Sequence, residues 1–240
     1  MKRAIVYFIV AIFLLLVVQP NINSNLNDSK NRVPENTTSN ITTNDNASIS
    51  QASSGATICI DAANGGQDTG YTVNEETYEK DINLTFALNL GKALEKAGYK
   101  VVYTRTDDNI ETSSDENDSA KMRINSAIDQ KADYFISIQM NDDENKLAQG
   151  YSIFTQPDEK MIELSQAVSA SLEALHYSTF NGSDSDHYAN FPILQDKELP
   201  SILLELGYLT NHEDLAKLMD ESFQTKIVYA ITEAFVEVID

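Results

Sequence analysis

From residue 57 onward, short apolar runs alternate with longer amphipathic stretches, and this alternation sets the expected elements. Thr57-Ile58-Cys59-Ile60-Asp61 is an apolar run with β-branched residues, closed by a glycine-rich turn, and predicts a buried strand. Cys59 within it reads as a small buried hydrophobe rather than a reactive thiol. Leu84, Leu88, Gly91 and Leu94 recur at helical spacing, and Gly98 follows as the stop. Residues 99–104 predict a second strand, residues 119–131 a helix, residues 134–138 a third strand and residues 151–155 a fourth. Met161, Leu164, Val168, Leu172 and Leu175 share a helical stripe. Ser201-Ile202-Leu203-Leu204-Glu205 reads as a further buried strand ending at Gly207, and Phe223, Ile227, Ala230, Ile231, Ala234, Phe235 and Val238 form one face of a last helix. Such alternation predicts a single α/β domain with a mostly parallel central sheet flanked by helices. In sheets of this kind ligands bind beyond the carboxyl ends of the strands, so the residues just after each strand are the candidates for chemistry.

The first residues follow a different pattern. Met1-Lys2-Arg3 precedes an unbroken apolar run, residues 4–18, that Gln19-Pro20 ends. With no polar face it does not fit a core helix, and residues 1–20 read as a signal peptide or membrane anchor. No Ala-x-Ala site follows, which favours an uncleaved anchor with the basic residues inside; the run is short against the roughly 20 residues of a spanning helix, which leaves a cleaved signal as the alternative. Residues 21–56 are dominated by Asn, Ser and Thr and predict a disordered tether. Residues 57–240 are the folded domain, placed outside the cytoplasm at the cell envelope.

Charge removes one class of function. With 37 acidic against 17 basic residues, a net charge of -20, the chain lacks the basic surface a nucleic-acid binder needs. One cysteine excludes an intramolecular disulfide. Acidic residues cluster in two places: Asp107, Asp108, Glu111, Asp115, Glu116 and Asp118 in one loop without Lys or Arg, and Asp142-Asp143-Glu144 after the third strand. They read as solvated loops; the functional alternative is a face that meets a basic partner or divalent cations.

After the first strand comes Asp61-Ala62-Ala63-Asn64-Gly65-Gly66-Gln67-Asp68-Thr69-Gly70, a tight turn without the Gly-Lys-Ser/Thr of a phosphate loop. Glu79 opens the first long helix, Gln139 and Asn141 follow the third strand, and Glu205 closes the late one. Two carboxylates and two amides are therefore expected along one edge of the sheet. Each alone also suits a helix cap or a turn.

These pieces carry a resemblance. The 61–70 turn, Glu79-Lys80-Asp81-Ile82-Asn83-Leu84, Thr104-Arg105-Thr106-Asp107, Phe135-Ile136-Ser137-Ile138-Gln139, and Pro200-Ser201-Ile202-Leu203-Leu204-Glu205-Leu206-Gly207-Tyr208-Leu209 occur in an order and spacing similar to the zinc-dependent N-acetylmuramoyl-L-alanine amidases. That family cuts the bond between glycan and stem peptide in peptidoglycan. The resemblance implies two zinc-ligand histidines, a ligand glutamate at the start of the first helix and a catalytic base after the late strand. Glu79 keeps the ligand carboxylate and Glu205 the base. Asn64 and Gln139 stand at the two histidine positions, Ala62 and Ala63 replace a Pro-Gly, and Gln195 replaces a basic residue.

Those replacements bear on the metal. Catalytic zinc takes three protein ligands and lowers the pKa of a bound water to about 7, and a neutral amide is a poor partner for it. The resemblance therefore implies zinc in the family and weak or absent zinc here, with Glu205 idle. The oxygens of Asn64, Glu79, Gln139 and Glu205 alternatively suit calcium or magnesium as a structural clamp. Of the three histidines, His176 falls at a helix end and His212 in a turn after the late strand, which leaves His187 as the one to test. The expected function is a degenerate amidase-family domain serving as a wall-binding or partner-binding module, its partner peptidoglycan or a cell-envelope protein and its membrane link the N-terminal segment. The alternatives are an active amidase with an unusual metal site and a protein-interaction module without glycan contact.

Overall fold

The computed structural model describes residues 49–52 and 54–240. The segment expected at 1–20 to target the membrane, and residues 21–48 of the expected tether, lie outside the described residues. Among the described residues no helix is long and apolar enough to cross a membrane.

The elements run β1 (Thr57–Ala62), β2 (Thr72–Asn74), β3 (Thr77–Tyr78), α1 (Glu79–Ala97), β4 (Lys100–Tyr103), α2 (Glu116–Asp129), β5 (Tyr134–Asn141), β6 (Tyr151–Thr155), α3 (Glu159–Ala174), β7 (Phe180–Asp184), β8 (Ser201–Tyr208), α4 (His212–Leu218) and α5 (Glu221–Ile239). Six strands form one sheet in the order β4-β1-β5-β8-β6-β7. All neighbours are parallel except β6 and β8, which run antiparallel. The expected α/β domain with a mostly parallel sheet is therefore what the chain forms.

Alternation of side chains along the strands divides the core in two. Ile58, Ile60, Ile136, Ile138, Ile202 and Leu204 face α1, α3 and α5 in the larger cluster. Cys59, Phe135 and Leu203 point the other way, toward Ala120, Ile124 and Ala127 of α2 and the 3-10 turn at Pro192–Leu194. Ile60 and Phe135 are fully buried, and each such side chain contributes about 2 kcal/mol. Cys59 is a core residue as expected, and burial pushes its thiol far above the ordinary range.

Several elements differ from the pattern. On α1 the buried stripe is Ile82, Phe86, Leu90 and Leu94; Leu84 and Leu88 sit half-buried beside it, because the sheet presses on the adjoining stripe. Gly91 has a packing reason: a Cβ there would lie 1.8 Å from the Tyr103 hydroxyl oxygen. Gly98 caps α1 in the left-handed region at φ 106, as its position predicts. Helix α2 starts earlier than expected, because the Asp115 carboxylate accepts the Asp118 N–H as an N-cap. Strand β8 runs through Gly207 to Tyr208, and His212 opens α4 behind the Asn211 cap rather than lying in a turn. The β2-β3 hairpin and β7 carry too few apolar residues to announce themselves.

Residues 49–52 and 54–56, which composition groups with the tether, are held to the domain. The Ser50 N–H and hydroxyl donate to Glu233 at 3.0 and 2.7 Å, the Ala52 N–H donates to the Ala97 carbonyl at 2.6 Å, and the Ser54 N–H donates to Asp240 at 3.1 Å. Ile49, Ala52 and Ala56 pack on the core.

Candidate active site

The site grows out of the turn after β1. Asp61, the last acidic residue of that strand, is fully buried and accepts hydrogen bonds from Thr104 Oγ1 at 2.7 Å, Ser137 Oγ at 2.7 Å and Arg123 Nη1 at 2.5 Å. Arg105, 5% exposed, lies under the turn and donates to the carbonyls of Ala62, Ala63 and Lys80 at 3.0, 3.3 and 2.7 Å. These bonds fix the path of a glycine-rich segment that has no packing of its own. Asn64 sits at the apex with φ 62, a left-handed conformation asparagine tolerates, and its Nδ2 donates to Asp68 at 3.0 Å.

Glu79 begins α1 and is 8% exposed. Its Oε2 accepts the Tyr71 N–H at 2.9 Å and its Oε1 the Met140 N–H at 3.0 Å, so the carboxylate ties the β2-β3 segment to β5. One helical turn on, Asn83 Nδ2 points to the Ala63 carbonyl, Asn64 Oδ1 and Glu79 Oε1 at 3.1, 3.2 and 3.4 Å. Asn83 Oδ1 is buried without a partner. Gly70, at φ +61, leaves room for this group: a Cβ there would stand 2.6 Å from Glu79 Oε2 and 2.9 Å from Asn64 Oδ1.

The second half of the site lies across two paired strands. Gln139 on β5 is in register with Glu205 on β8, and Gln139 Nε2 donates to Glu205 Oε1 at 3.1 Å while Asn141 Nδ2 donates to Oε2 at 2.7 Å. Glu205 is 9% exposed. Burial pushes its carboxyl up to about 7, against the opposing effect of the two amide donors and with a smaller push from Glu79. Burial also raises Glu79, and the N–H groups of Tyr71 and Met140 partly offset this. The two carboxylates are thus buried, close enough to repel and supplied with amide donors. They can hold hydrogen-bonding groups of a ligand in a dry, oriented setting.

The structure brings Asn64, Glu79, Gln139 and Glu205 to one end of the sheet, as the sequence predicts. Asn64 and Gln139 line one cavity of about 710 Å³. It does not recruit the histidines. His176 is exposed beyond α3, His212 is exposed at the start of α4, and His187 Nδ1 pairs with Asp184 Oδ2 at 2.6 Å, 68% exposed. Gln195 bonds the Ala189 carbonyl. Several of the loop acids serve local structure: Asp108 binds Lys80 and the Gly66 N–H, and Asp115 caps α2. Asn83 and Arg123 were missed as site residues. Asn83 lies at i+4 from Glu79, a spacing that puts both on one helix face and could have flagged it; Arg123 carries no comparable signal.

The donor set decides how a metal would fare. Among the described residues no group of three or more His, Cys, Asp or Glu could hold a metal ion. Around Glu79 and Glu205 stand amides, and that of Gln139 donates an N–H to Glu205.

The sequence pattern of N-acetylmuramoyl-L-alanine amidase matches residues 58–237, most of the chain. The chain belongs to the N-acetylmuramoyl-L-alanine amidase family. It is 28% identical over 191 residues to the probable cell wall amidase LytH of Staphylococcus aureus, covering 79% of this chain and 60% of that protein. Among solved structures, the N-acetylmuramoyl-L-alanine amidase of Clostridium difficile 630 matches with a TM-score of 0.69 at 29% identity, covering 78% of this chain and 98% of that one. The CwlD amidase of Clostridioides difficile, solved in complex with the GerS lipoprotein, matches with a TM-score of 0.61 at 30% identity, over 77% and 98%. This is a cell-wall amidase domain by family, and the family is generally zinc-dependent.

Proposed function

We propose that the domain acts at peptidoglycan, outside the cytoplasm, as a wall-binding or partner-binding module that has lost hydrolysis. The observation that carries this reading is the Gln139 side chain, which donates an N–H to Glu205 where the family pattern calls for a metal-ligand imidazole. An amide donor next to the base position attracts no cation and holds Glu205 in a hydrogen bond. With Asn64 at the other histidine position, the residues present do not fit zinc, and zinc is weakly bound or absent in this reading. Calcium or magnesium on the four oxygens would serve as a clamp, at the cost of the Gln139 bond to Glu205. A protein partner gains weight from the CwlD relative, which was solved with a lipoprotein. Residues 1–20, with their apolar run at 4–18, act as signal peptide or membrane anchor, and residues 21–48 as the tether.

One observation favours a second reading, an active amidase with an unusual metal site. Glu205 keeps the base position with a carboxyl pushed up to about 7, a value suited to proton transfer near neutrality. The test is to purify the full-length protein, measure its zinc, and incubate it with purified peptidoglycan while following both sedimentation with the wall and release of free peptide. The expected result is substoichiometric zinc, co-sedimentation and no release. Stoichiometric zinc with peptide release that Glu205→Ala abolishes overturns the reading in favour of the active enzyme.

A further inference from the structure

The sequence contains two Asn–Gly steps, Asn64-Gly65 and Asn181-Gly182, and the fold holds them in opposite ways. Asparagine is most labile before glycine, because a glycine nitrogen has no side chain beside it to obstruct its approach to the asparagine Cγ. The first step lies in the candidate site and is locked. Both ends of the Asn64 amide are bonded: Nδ2 donates to Asp68 at 3.0 Å, and Oδ1 accepts from Asn83 at 3.2 Å. The Gly65 N–H donates to the Asp68 carbonyl at 2.8 Å. Gly65 is buried, and a Cβ on it would lie 2.7 Å from Ile110 Cδ1 and 3.0 Å from Arg105 Nε.

The second step lies on β7, the last strand of the sheet, which among the described strands pairs with β6 alone. The register breaks there. Phe180 pairs with Tyr151 and Gly182 with Ser152, so Asn181 is the extra residue of a bulge and is left out of the ladder. Asn181 is exposed, and beyond its chain neighbours nothing lies within 4 Å of where a Gly182 Cβ would stand, at φ +121. Among the described residues the Asn181 side chain makes one bond, from Nδ2 to the Gln149 carbonyl at 3.0 Å. That bond ties β7 to the β5–β6 connection, and the fit is close: a Cβ on Gly150 would stand 2.6 Å from Asn181 Nδ2.

We propose that Asn181 is a site of spontaneous deamidation, which converts it to aspartate or isoaspartate while Asn64 keeps its amide. The Gly182 nitrogen attacks Asn181 Cγ. The new C–N bond closes a succinimide ring as the Cγ–Nδ2 bond breaks, and the proton displaced from the Gly182 nitrogen leaves with Nδ2 as ammonia. Water then opens the ring. Cleavage at Cγ gives aspartate, and cleavage at the Asn181 backbone carbonyl gives isoaspartate, in which the chain runs through Cγ. Either product replaces the Nδ2 donor with a carboxylate facing the Gln149 carbonyl, so the tie between β7 and the β5–β6 connection is lost. The inference holds whether or not the domain hydrolyses peptidoglycan.

The test incubates the full-length protein at mildly alkaline pH, folded and in urea, and follows both steps by peptide mass mapping. Labelling with protein isoaspartate methyltransferase counts the isoaspartate. In the folded protein Asn181 should convert at least tenfold faster than Asn64, and in urea the two should convert at similar rates. Equal conversion in the folded protein, or faster conversion at Asn64, overturns the inference; so does an Asn181 that converts in urea but not in the fold. A tenfold difference that persists in urea overturns the role given to the fold. Asn181→Asp reproduces the direct product and should raise hydrogen exchange of the amides at 145–149 above the wild type. Unchanged exchange would overturn the loss of the tie, and the mass comparison itself needs no variant.

Discussion

Asp61 on β1 and Glu205 on β8 lie on the two strands that flank β5, both buried, and the protein treats them in opposite ways. Asp61 receives two hydroxyls and a guanidinium, so its charge is answered at short range. Glu205 receives two neutral amides and, among the described residues, no cation, and its carboxyl rises to about 7. The first arrangement fixes a turn. The second keeps a carboxyl close to the point where it gains or loses a proton, which is how binding and catalytic sites differ from structural ion pairs.

The comparison can be broken most forcefully at Asp61. Asp61→Ala leaves the half-buried Arg123 without its counter-charge and the Thr104 and Ser137 hydroxyls without their acceptor, and should lower unfolding stability in urea by about 3 kcal/mol. A cost under about 1 kcal/mol would mean that the pair is not what fixes the turn.

At Glu205 the sign is reversed. Its folded pKa of about 7 lies above the ordinary 4.5, so the folded state holds the proton longer than the unfolded chain. The contribution is present below about pH 4.5 and is lost as pH rises to about 7, by roughly 3 kcal/mol. Glu205→Gln should therefore gain on the wild type between pH 4 and pH 8, read as the difference between two stability-versus-pH curves. Parallel curves would show that Glu205 titrates normally.

A smaller effect should come from Gly70→Ala. The methyl would press on Glu79 Oε2 from a left-handed backbone, at a cost of about 2 kcal/mol in thermal or urea unfolding. No change would mean that Glu79 can move aside, against the two N–H bonds that hold it. The mildest test is Asn141→Ala, which removes one donor to Glu205. Its titration midpoint, followed by carbonyl NMR, should move above about 7, and a downward movement would contradict the assigned bond.

Much of this was legible in the sequence because it depends on local pattern. The β1 run, the Gly98 stop and the α5 stripe each state their element within a few residues, and the strand ends gave Asn64, Glu79, Gln139 and Glu205. On α1 Gly91 and Leu94 are buried as the pattern predicts, whereas Leu84 and Leu88 are half-buried, since they are as apolar as Ile82, Phe86 and Leu90 and only the sheet chooses between them. Arg123 was invisible because its meaning depends on Asp61, 62 residues away, and on the cavity between them. Neither the β2-β3 hairpin nor β7 has an apolar alternation to read.

Helix α1 holds Glu79 at its first turn and, at its last, the Ala97 carbonyl that receives the Ala52 N–H. At 1.5 Å per residue these points are about 27 Å apart. The chain at residues 50 and 52 is therefore fastened to Glu233 and to the far end of α1. The Glu79 pocket lies at the opposite end of the helix from that attachment.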